Sequence, residues 1–264
     1  MTQSVRLPFD SEETTGIYES LKVYQGRFFR LEEHLDRFFE SARTVGLKIP
    51  EPREKIRERL RKSLAESGRT EAFVRLTLAG REIFVVVSER SHPPGLYRKG
   101  VCLRTSAIRR NLSQAAFPEA KSTFFLNQIL ATLEPAPPGN YEILFLNAEG
   151  FLAEARIGNI FIVKEGRLLT PPAHGLLNGV TRRFVIECAC LGKIPVEEKP
   201  LTRHDLFNAE EAFLTNTSWE ILPIREVDGR TVGTLLPGPV TRKLELLFRE
   251  GVQKEIQKAG NGKN

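Results

Sequence analysis

The sequence predicts an α+β protein of two domains: a small α/β N-terminal domain and a larger, barrel-like α/β C-terminal domain. Three observations lead there. The chain has 264 residues, which suits one large domain or two modest ones at about 150 residues each. Strand signals arrive in hairpins and runs that do not alternate regularly with helices, which argues against a doubly wound sheet. A polar, aperiodic stretch from Arg109 to Pro118 separates two periodic blocks. The expected division is residues 1–110, an interdomain loop at 111–117, and residues 118–264.

In the first block, Glu19 to Tyr24 and Arg27 to Leu31 flank Gln25-Gly26, a hairpin signal. A helix follows from about Glu32 to Val45, with Leu35, Phe38, Phe39 and Ala42 at helical spacing. Ile49-Pro50-Glu51-Pro52 breaks it. A second helix carries Ile56, Leu60 and Leu64 on one face and stops at Gly68. Ala72 to Leu78 and Glu82 to Ser88 form a hairpin about Ala79-Gly80, and Val101 to Ser106 adds a strand.

In the second block a helix is expected from near Lys121, carrying Phe125, Ile129, Leu130 and Leu133. Strands follow at Tyr141 to Asn147, Phe151 to Glu154, Asn159 to Val163 and Arg167 to Thr170. A helix runs from Val180 to Leu191, strands cover Glu211 to Asn216 and Glu220 to Val227, and an amphipathic helix with Val240, Leu244, Leu247, Phe248 and Val252 comes last.

Composition excludes several classes. The apolar runs, such as Ile83 to Val87, are far too short to span a bilayer. The start, Met1-Thr2-Gln3-Ser4-Val5-Arg6, has no apolar signal core, so a cytoplasmic protein is expected. Cys102, Cys188 and Cys190 are odd in number and suggest no disulfide scaffold, and no Cys/His spacing matches a metal site. The net charge of +6 comes mostly from basic residues interspersed with acids, as in Glu51 to Arg61, so solvated surface and not nucleic acid is expected.

Four features of the second block carry chemistry. Lys121 follows Pro118; a buried lysine there would be a nucleophile able to form a Schiff base, while a solvated one would be ordinary surface. Glu154 ends a short strand beside an apolar one, where a partly buried carboxylate needs a cationic partner. Asn178-Gly179-Val180-Thr181 opens a helix whose free N–H groups favour an anion, although ordinary helices also start this way. Leu214-Thr215-Asn216-Thr217-Ser218 is a hydroxyl-rich strand end of the kind that can complete a phosphate cradle or simply turn. A lysine, a carboxylate for a ring nitrogen and two anion-binding turns are what pyridoxal 5′-phosphate (PLP) requires.

Several blocks then resemble a known family. Glu33-His34-Leu35-Asp36-Arg37-Phe38, Leu152-Ala153-Glu154 with Gly158 to Val163, Leu169-Thr170-Pro171-Pro172 with Gly179 to Arg182, and Phe213 to Thr217 with Ile221-Leu222-Pro223-Ile224 occur in the order of fold-type IV PLP enzymes, the class IV aminotransferases. The resemblance runs from about Gly16 to Gly233. It implies that Lys121 binds PLP, Glu154 partners the pyridine nitrogen, and Arg37, Val180, Thr181, Thr217 and Ser218 hold the phosphate, with Leu177 on the ring face. It also implies amino acid and 2-oxo acid substrates and a homodimer.

Departures from the family pattern concern the substrate. The Arg-Gly and Gly-Asp-Gly stretch that often comes first is replaced by Ser11 to Glu19. The Arg and His residues that D-amino-acid relatives carry after the strand matching Ala72 to Leu78 are missing, since that strand enters the tight turn Ala79-Gly80-Arg81-Glu82. Arg75 resembles a strand arginine that branched-chain enzymes use for carboxylates; an ordinary outward strand arginine is the equal alternative. Tyr18 and Arg156 are further pocket candidates. Phe124 stands where many relatives have Asn, and Asn178-Gly179 replaces a frequent Pro-Gly. The resulting expectation is a PLP-dependent aminotransferase acting on branched-chain or similar small amino acids. The alternatives are a 4-amino-4-deoxychorismate lyase, which eliminates pyruvate, and a non-catalytic PLP-fold or basic binding protein.

Overall fold

The computed structural model describes residues 16–110, 117–123 and 126–261. The first sheet contains β1 (Gly16–Tyr24), β2 (Arg27–Phe28), β3 (Ala72–Ala79) and β4 (Glu82–Ser88), all antiparallel in the order β2-β1-β3-β4. Alternation sorts its residues. Ile17, Leu21 and Val23 of β1 and Val74, Leu76 and Leu78 of β3 point into one core. That core is completed by Leu35, Phe38 and Ala42 of α1 (Leu31–Thr44) and by Ile56, Leu60 and Leu64 of α2 (Arg53–Ser67). Glu32 and Glu33 in the first turn of α1 oppose the positive end of its dipole. The opposite face of the sheet carries Tyr18, Ser20, Phe73 and Arg75.

The second sheet closes on itself. It contains β5 (Val101–Thr105), β6 (Asn140–Leu146), β7 (Leu152–Ala155), β8 (Gly158–Lys164), β9 (Arg167–Thr170), β10 (Val196–Glu198), β11 (Glu211–Asn216), β12 (Glu220–Val227) and the short β13 (Arg230–Thr231). The order is β10-β9-β8-β11-β12-β5-β6-β7, and β7 pairs again with β8, so six strands form a ring. Leu103, Leu144, Leu152, Ile160, Leu214 and Leu222, one from each of those strands, meet in a single cluster inside it. The alternate residues Phe161, Val163, Phe213 and Ile221 face outward and pack under α5 (Val180–Leu191) and α7 (Pro239–Asn261). Both faces of β8 and β11 are therefore buried, which explains their near-continuous apolar runs.

Four elements escaped the sequence reading: β10, β13, α3 (Pro94–Lys99) and α6 (Arg203–Phe207). All are six residues or fewer, too short for a periodicity to develop. β5 lies on the N-terminal side of residue 110, yet it pairs in parallel with β12 and β6, so the change of sheet falls between Ser88 and Val101. The sequence offers no cue to a parallel pairing made across more than a hundred residues.

The expected helix near Lys121 is corrected. The helix is α4 (Leu126–Leu133), and Lys121 precedes it in extended backbone. β2 covers only the Val23–Tyr24 end of β1, leaving the edge at Gly16–Tyr18 open. Ser122 bridges to Ile17 there, Tyr18 N–H donates to Lys121 O at 3.0 Å, and Thr123 N–H donates to Gly16 O at 2.7 Å. Phe124, Phe125, most of the 111–117 loop and the Ser11 to Thr15 departure lie outside the described residues. Among the described residues no helix is long and apolar enough to cross a membrane.

Candidate active site

A cavity of about 470 Å³ lies between the exposed face of the first sheet and the rim of the ring. Lys121, Arg37, Glu154, Leu177, Val180, Thr181, Thr217, Ser218, Tyr18, Arg75 and Arg156, every residue singled out from sequence, line it. They come from seven separate stretches of chain, so only the tertiary fold brings them together.

Lys121 is held by backbone. Its N–H donates to Ser41 Oγ at 3.0 Å and its carbonyl accepts from Tyr18, which fixes the direction of the side chain. Its Nζ lies 4.6 Å from the centre of the Tyr18 ring. The Arg75 guanidinium lies 4.4 Å from the centre of that ring, so one aromatic side chain is shared by two cations.

Glu154 sits on β7 opposite Asn159 of β8 and is 6% exposed. Burial pushes its carboxyl above the usual range; the Arg110 guanidinium, 2.8 Å away, and the Leu177 N–H at 3.3 Å oppose that rise. Asn159 Nδ2 donates to Leu177 O at 2.8 Å and to Glu154 Oε2 at 3.4 Å, tying the Leu177 loop to the carboxylate. The same Asn159 leaves no room for a Cβ at residue 179, which accounts for Gly179.

α5 opens directly after Gly179, with no side-chain cap. Its hydrogen bonds begin with Arg183 N–H to Gly179 O, so the N–H groups of Val180 and Thr181 are not used within the helix. Thr217 and Ser218 share the cavity wall with them. Asn216 Oδ1 accepts from both Ser218 N–H at 2.8 Å and Trp219 N–H at 2.9 Å, shaping this turn. His92 Nε2 lies 2.8 Å from Ser218 Oγ. Thr215 Oγ1 on the same wall is buried with no hydrogen-bond partner among the described residues.

Arg37 enters the cavity with all three of its guanidinium nitrogens already committed. Nε and Nη2 donate to Glu19 Oε1 and Oε2 at 2.6 and 2.8 Å, and Nη1 donates to Asn178 O at 3.2 Å. His34 Nδ1 sits 2.8 Å from Glu19 Oε2. Burial alone would raise the Glu19 carboxyl, but Arg37 and His34 hold it well below the usual range. Burial pushes the His34 imidazole down despite Glu19. Arg156 donates from Nε to the buried Glu142 Oε1 at 3.1 Å.

Sequence reasoning missed Glu19, His34, Arg110 and Asn159. One signal was available: Glu19 occupies an inward position in the alternation Ile17, Leu21, Val23, where an acid must have a partner. His34, Arg37 and Ser41 then recur at helical spacing as a polar stripe within the buried side of α1. Arg110 had no such signal, because it belongs to an aperiodic loop. Among the described residues no group of His, Cys, Asp or Glu could hold a metal ion.

The model of the amino-transferase class IV family matches residues 16–227. The chain belongs to that family, whose enzymes use PLP. It is 35% identical over 255 residues to the branched-chain-amino-acid aminotransferase of Pseudomonas aeruginosa, covering 88% of this chain and 82% of that one. It is 34% identical over 257 residues to the D-alanine aminotransferase of Listeria monocytogenes, covering 90% and 86%. The solved structure of the T.th. branched-chain amino acid aminotransferase with pyridoxamine 5′-phosphate superposes with a TM-score of 0.84 at 26% identity, over 96% of this chain and 91% of that one. Near-equal identity to enzymes named for branched-chain and for D-amino acids means that overall likeness does not choose the substrate.

Proposed function

We propose that this protein is a PLP-dependent aminotransferase moving an amino group between an amino acid, of the branched-chain or a similar small class, and a 2-oxo acid. The observation that carries the reading is the meeting of Lys121, Glu154 and the N-terminus of α5 in one cavity. The residues fit PLP: an amine, a buried carboxyl, N–H groups not used within a helix, and the unpartnered Thr215 Oγ1. When bound, the cofactor supplies an electron sink for charge that develops on the substrate α-carbon.

The protein's own part follows from position. Lys121 Nζ would hold the cofactor covalently and, when free, would be the base positioned to move a proton at the substrate α-carbon. Glu154, whose carboxylate is held by Arg110, Leu177 N–H and Asn159, would accept a hydrogen bond from a protonated ring nitrogen. Val180 N–H, Thr181 and the Thr217–Ser218 turn bind phosphate and keep the reacting atoms in register. Arg37, braced by Glu19, adds positive charge to that end. Leu177, tied to Asn159, would lie against a face of the bound ring.

We also infer a homodimer. Leu126, Ile129, Leu130 and Leu133 of α4 are all exposed, as are Phe117 and Ile157 of the cavity lining. A second copy laid over α4 would bury this apolar surface and close the cavity mouth. The three free cysteines suit the reducing cytoplasm.

The test is reconstitution with PLP. A visible absorbance is expected that borohydride bleaches while leaving the cofactor covalently attached at Lys121, an attachment that Lys121→Ala loses. Amino donors should discharge that absorbance, and Lys121→Ala should lower turnover by about 10²–10⁴-fold. A chromophore unchanged in Lys121→Ala would sink the reading. One that no amino donor discharges, with pyruvate released from 4-amino-4-deoxychorismate, would establish the lyase instead. A monomer with full activity in sedimentation would refute the dimer.

A further inference from the structure

The connection between β4 and α3 carries a histidine that the cofactor reading leaves idle. His92 is half-buried behind the Thr217–Ser218 turn, outside the cavity lining to which Ser218 itself belongs. Its Nε2 lies 2.8 Å from Ser218 Oγ. Its ring meets Trp219 edge-on, with ring centres 6.2 Å apart, and Trp219 leans in turn on Tyr141 at 5.9 Å. The imidazole is therefore held against the back of the turn.

The main-chain groups of Ser218 are already assigned. Its N–H donates to Asn216 Oδ1 at 2.8 Å, and its carbonyl accepts from Lys22 Nζ at 3.4 Å. Only the hydroxyl is left for a ligand, and it has one proton to give. His92 and Ser218 can share hydrogen in two ways. If the imidazole accepts, the hydroxyl proton is spent on His92 and only lone pairs remain for a ligand. If Nε2 carries hydrogen, it donates to Ser218 Oγ and the hydroxyl proton is free for the cavity. An anion tolerates only the second arrangement, and a charged imidazole, which has no lone pair, enforces it. The charges around His92 fit that role. Burial, then Arg90 of the same connection and Lys22 of β1, push the imidazole below its usual value. Arg90 rests on the Phe73 ring, 4.4 Å from its centre, and Lys22 is paired with Glu220. No carboxylate is bonded to His92 among the described residues. An anion on the turn supplies the negative charge that this corner lacks.

We propose that His92 is a positioning residue: through Ser218 Oγ it aims the hydroxyl proton at an anionic group seated on the Thr217–Ser218 turn, and it takes up a proton from solvent as that anion binds. This rests on the cofactor reading above, in which the anion is the cofactor's phosphate. A substrate carboxylate offers the same chemistry, and the experiment separates the two.

The experiment follows the imidazole itself. The chain has four histidines, so the His92 ring resonance is the one missing from His92→Gln. Its pH titration is read by NMR on the free protein, on the PLP-loaded protein, and on the loaded protein with an unreactive monocarboxylate added. An anion one hydroxyl away should raise the His92 midpoint by about one pH unit. A rise on loading identifies the anion as the phosphate; a rise only with the monocarboxylate identifies it as the substrate's carboxylate. Either rise should shrink in Ser218→Ala. By linkage that anion binds about tenfold tighter below the His92 titration than above it, and His92→Gln should lose this dependence. For PLP the affinity is read from the fluorescence of Trp219, the one tryptophan of the chain. A midpoint that neither anion moves, or a rise undiminished in Ser218→Ala, would overturn the proposal. Protein on which PLP raises no chromophore fails the cofactor reading itself, and this proposal falls with it.

Discussion

The two sheets use their second faces in opposite ways. The first buries one face under α1 and α2 and turns the other, with Tyr18, Ser20, Phe73 and Arg75, onto the cavity. The ring buries both faces of β8 and β11, so it meets the cavity only with strand ends and turns: Glu154, Arg156, Thr217, Ser218 and the start of α5. Turns and helix ends expose unpaired N–H groups, which suit a phosphate and fix its position tightly. An open sheet face offers side chains that can change without disturbing a ladder, which suits the reading of a substrate. The two sheets thus supply the two halves of the cavity differently, the ring through strand ends and a helix start and the first sheet through side chains of one face, and the Glu19–His34–Arg37 cluster joins the first sheet to Asn178 on the ring side.

Breaking that cluster should have the largest effect. Arg37→Ala leaves Glu19 charged and buried without its main partner and should cost about 3–5 kcal/mol in chemical denaturation. An unaltered midpoint would mean that water reaches Glu19, and the first sheet would then be less tightly coupled than described.

Gly179→Ala tests the other half at intermediate cost. The added Cβ must displace Asn159 Oδ1 and with it the amide whose Nδ2 donates to Leu177 O and Glu154 Oε2. PLP affinity should fall by about tenfold, with a stability loss of about 1 kcal/mol. A large stability loss with unchanged affinity would make Gly179 part of the scaffold and not of the cradle.

The smallest effect is on pH dependence. His34 and Glu19 both have pKa values lowered in the fold. On acidification the unfolded chain therefore binds their protons first, and stability falls with pH, first below 6.5 for His34 and again below 4.5 for Glu19. Glu154 and Glu142, raised by burial, act with the opposite sign just above 4.5. The melting temperature should thus drop modestly between pH 7 and pH 5.5, and His34→Gln should flatten that segment. A slope unchanged in His34→Gln would remove His34 from the account.

Much of this was legible in the residues. Alternation in Ala72 to Leu78 and helical spacing in Leu35, Phe38 and Ala42 specified the main elements, because burying one face demands those periods. Lys121, Glu154 and Thr181 could be picked out because their blocks resemble a known family. Arg110 and Arg90 could not, since they lie in aperiodic connections where position depends wholly on what the loop packs against. Lys121 itself was expected on a helix; the open edge of β1 captured it in extended form, and an edge is not visible until the strand order is known.

The sequence by itself determined the α+β class, the strand and helix periods, and the supply of an amine, a carboxylate and a helix start fit for phosphate. These are local properties, written in spacing and residue type. Tertiary structure alone decided which of the six cavity cations are paired with buried carboxylates: Arg37, Arg110 and Arg156 are, by Glu19, Glu154 and Glu142. That is a matter of contacts between distant segments, such as Arg37 with Glu19 and Arg90 with Phe73, and no local pattern encodes it.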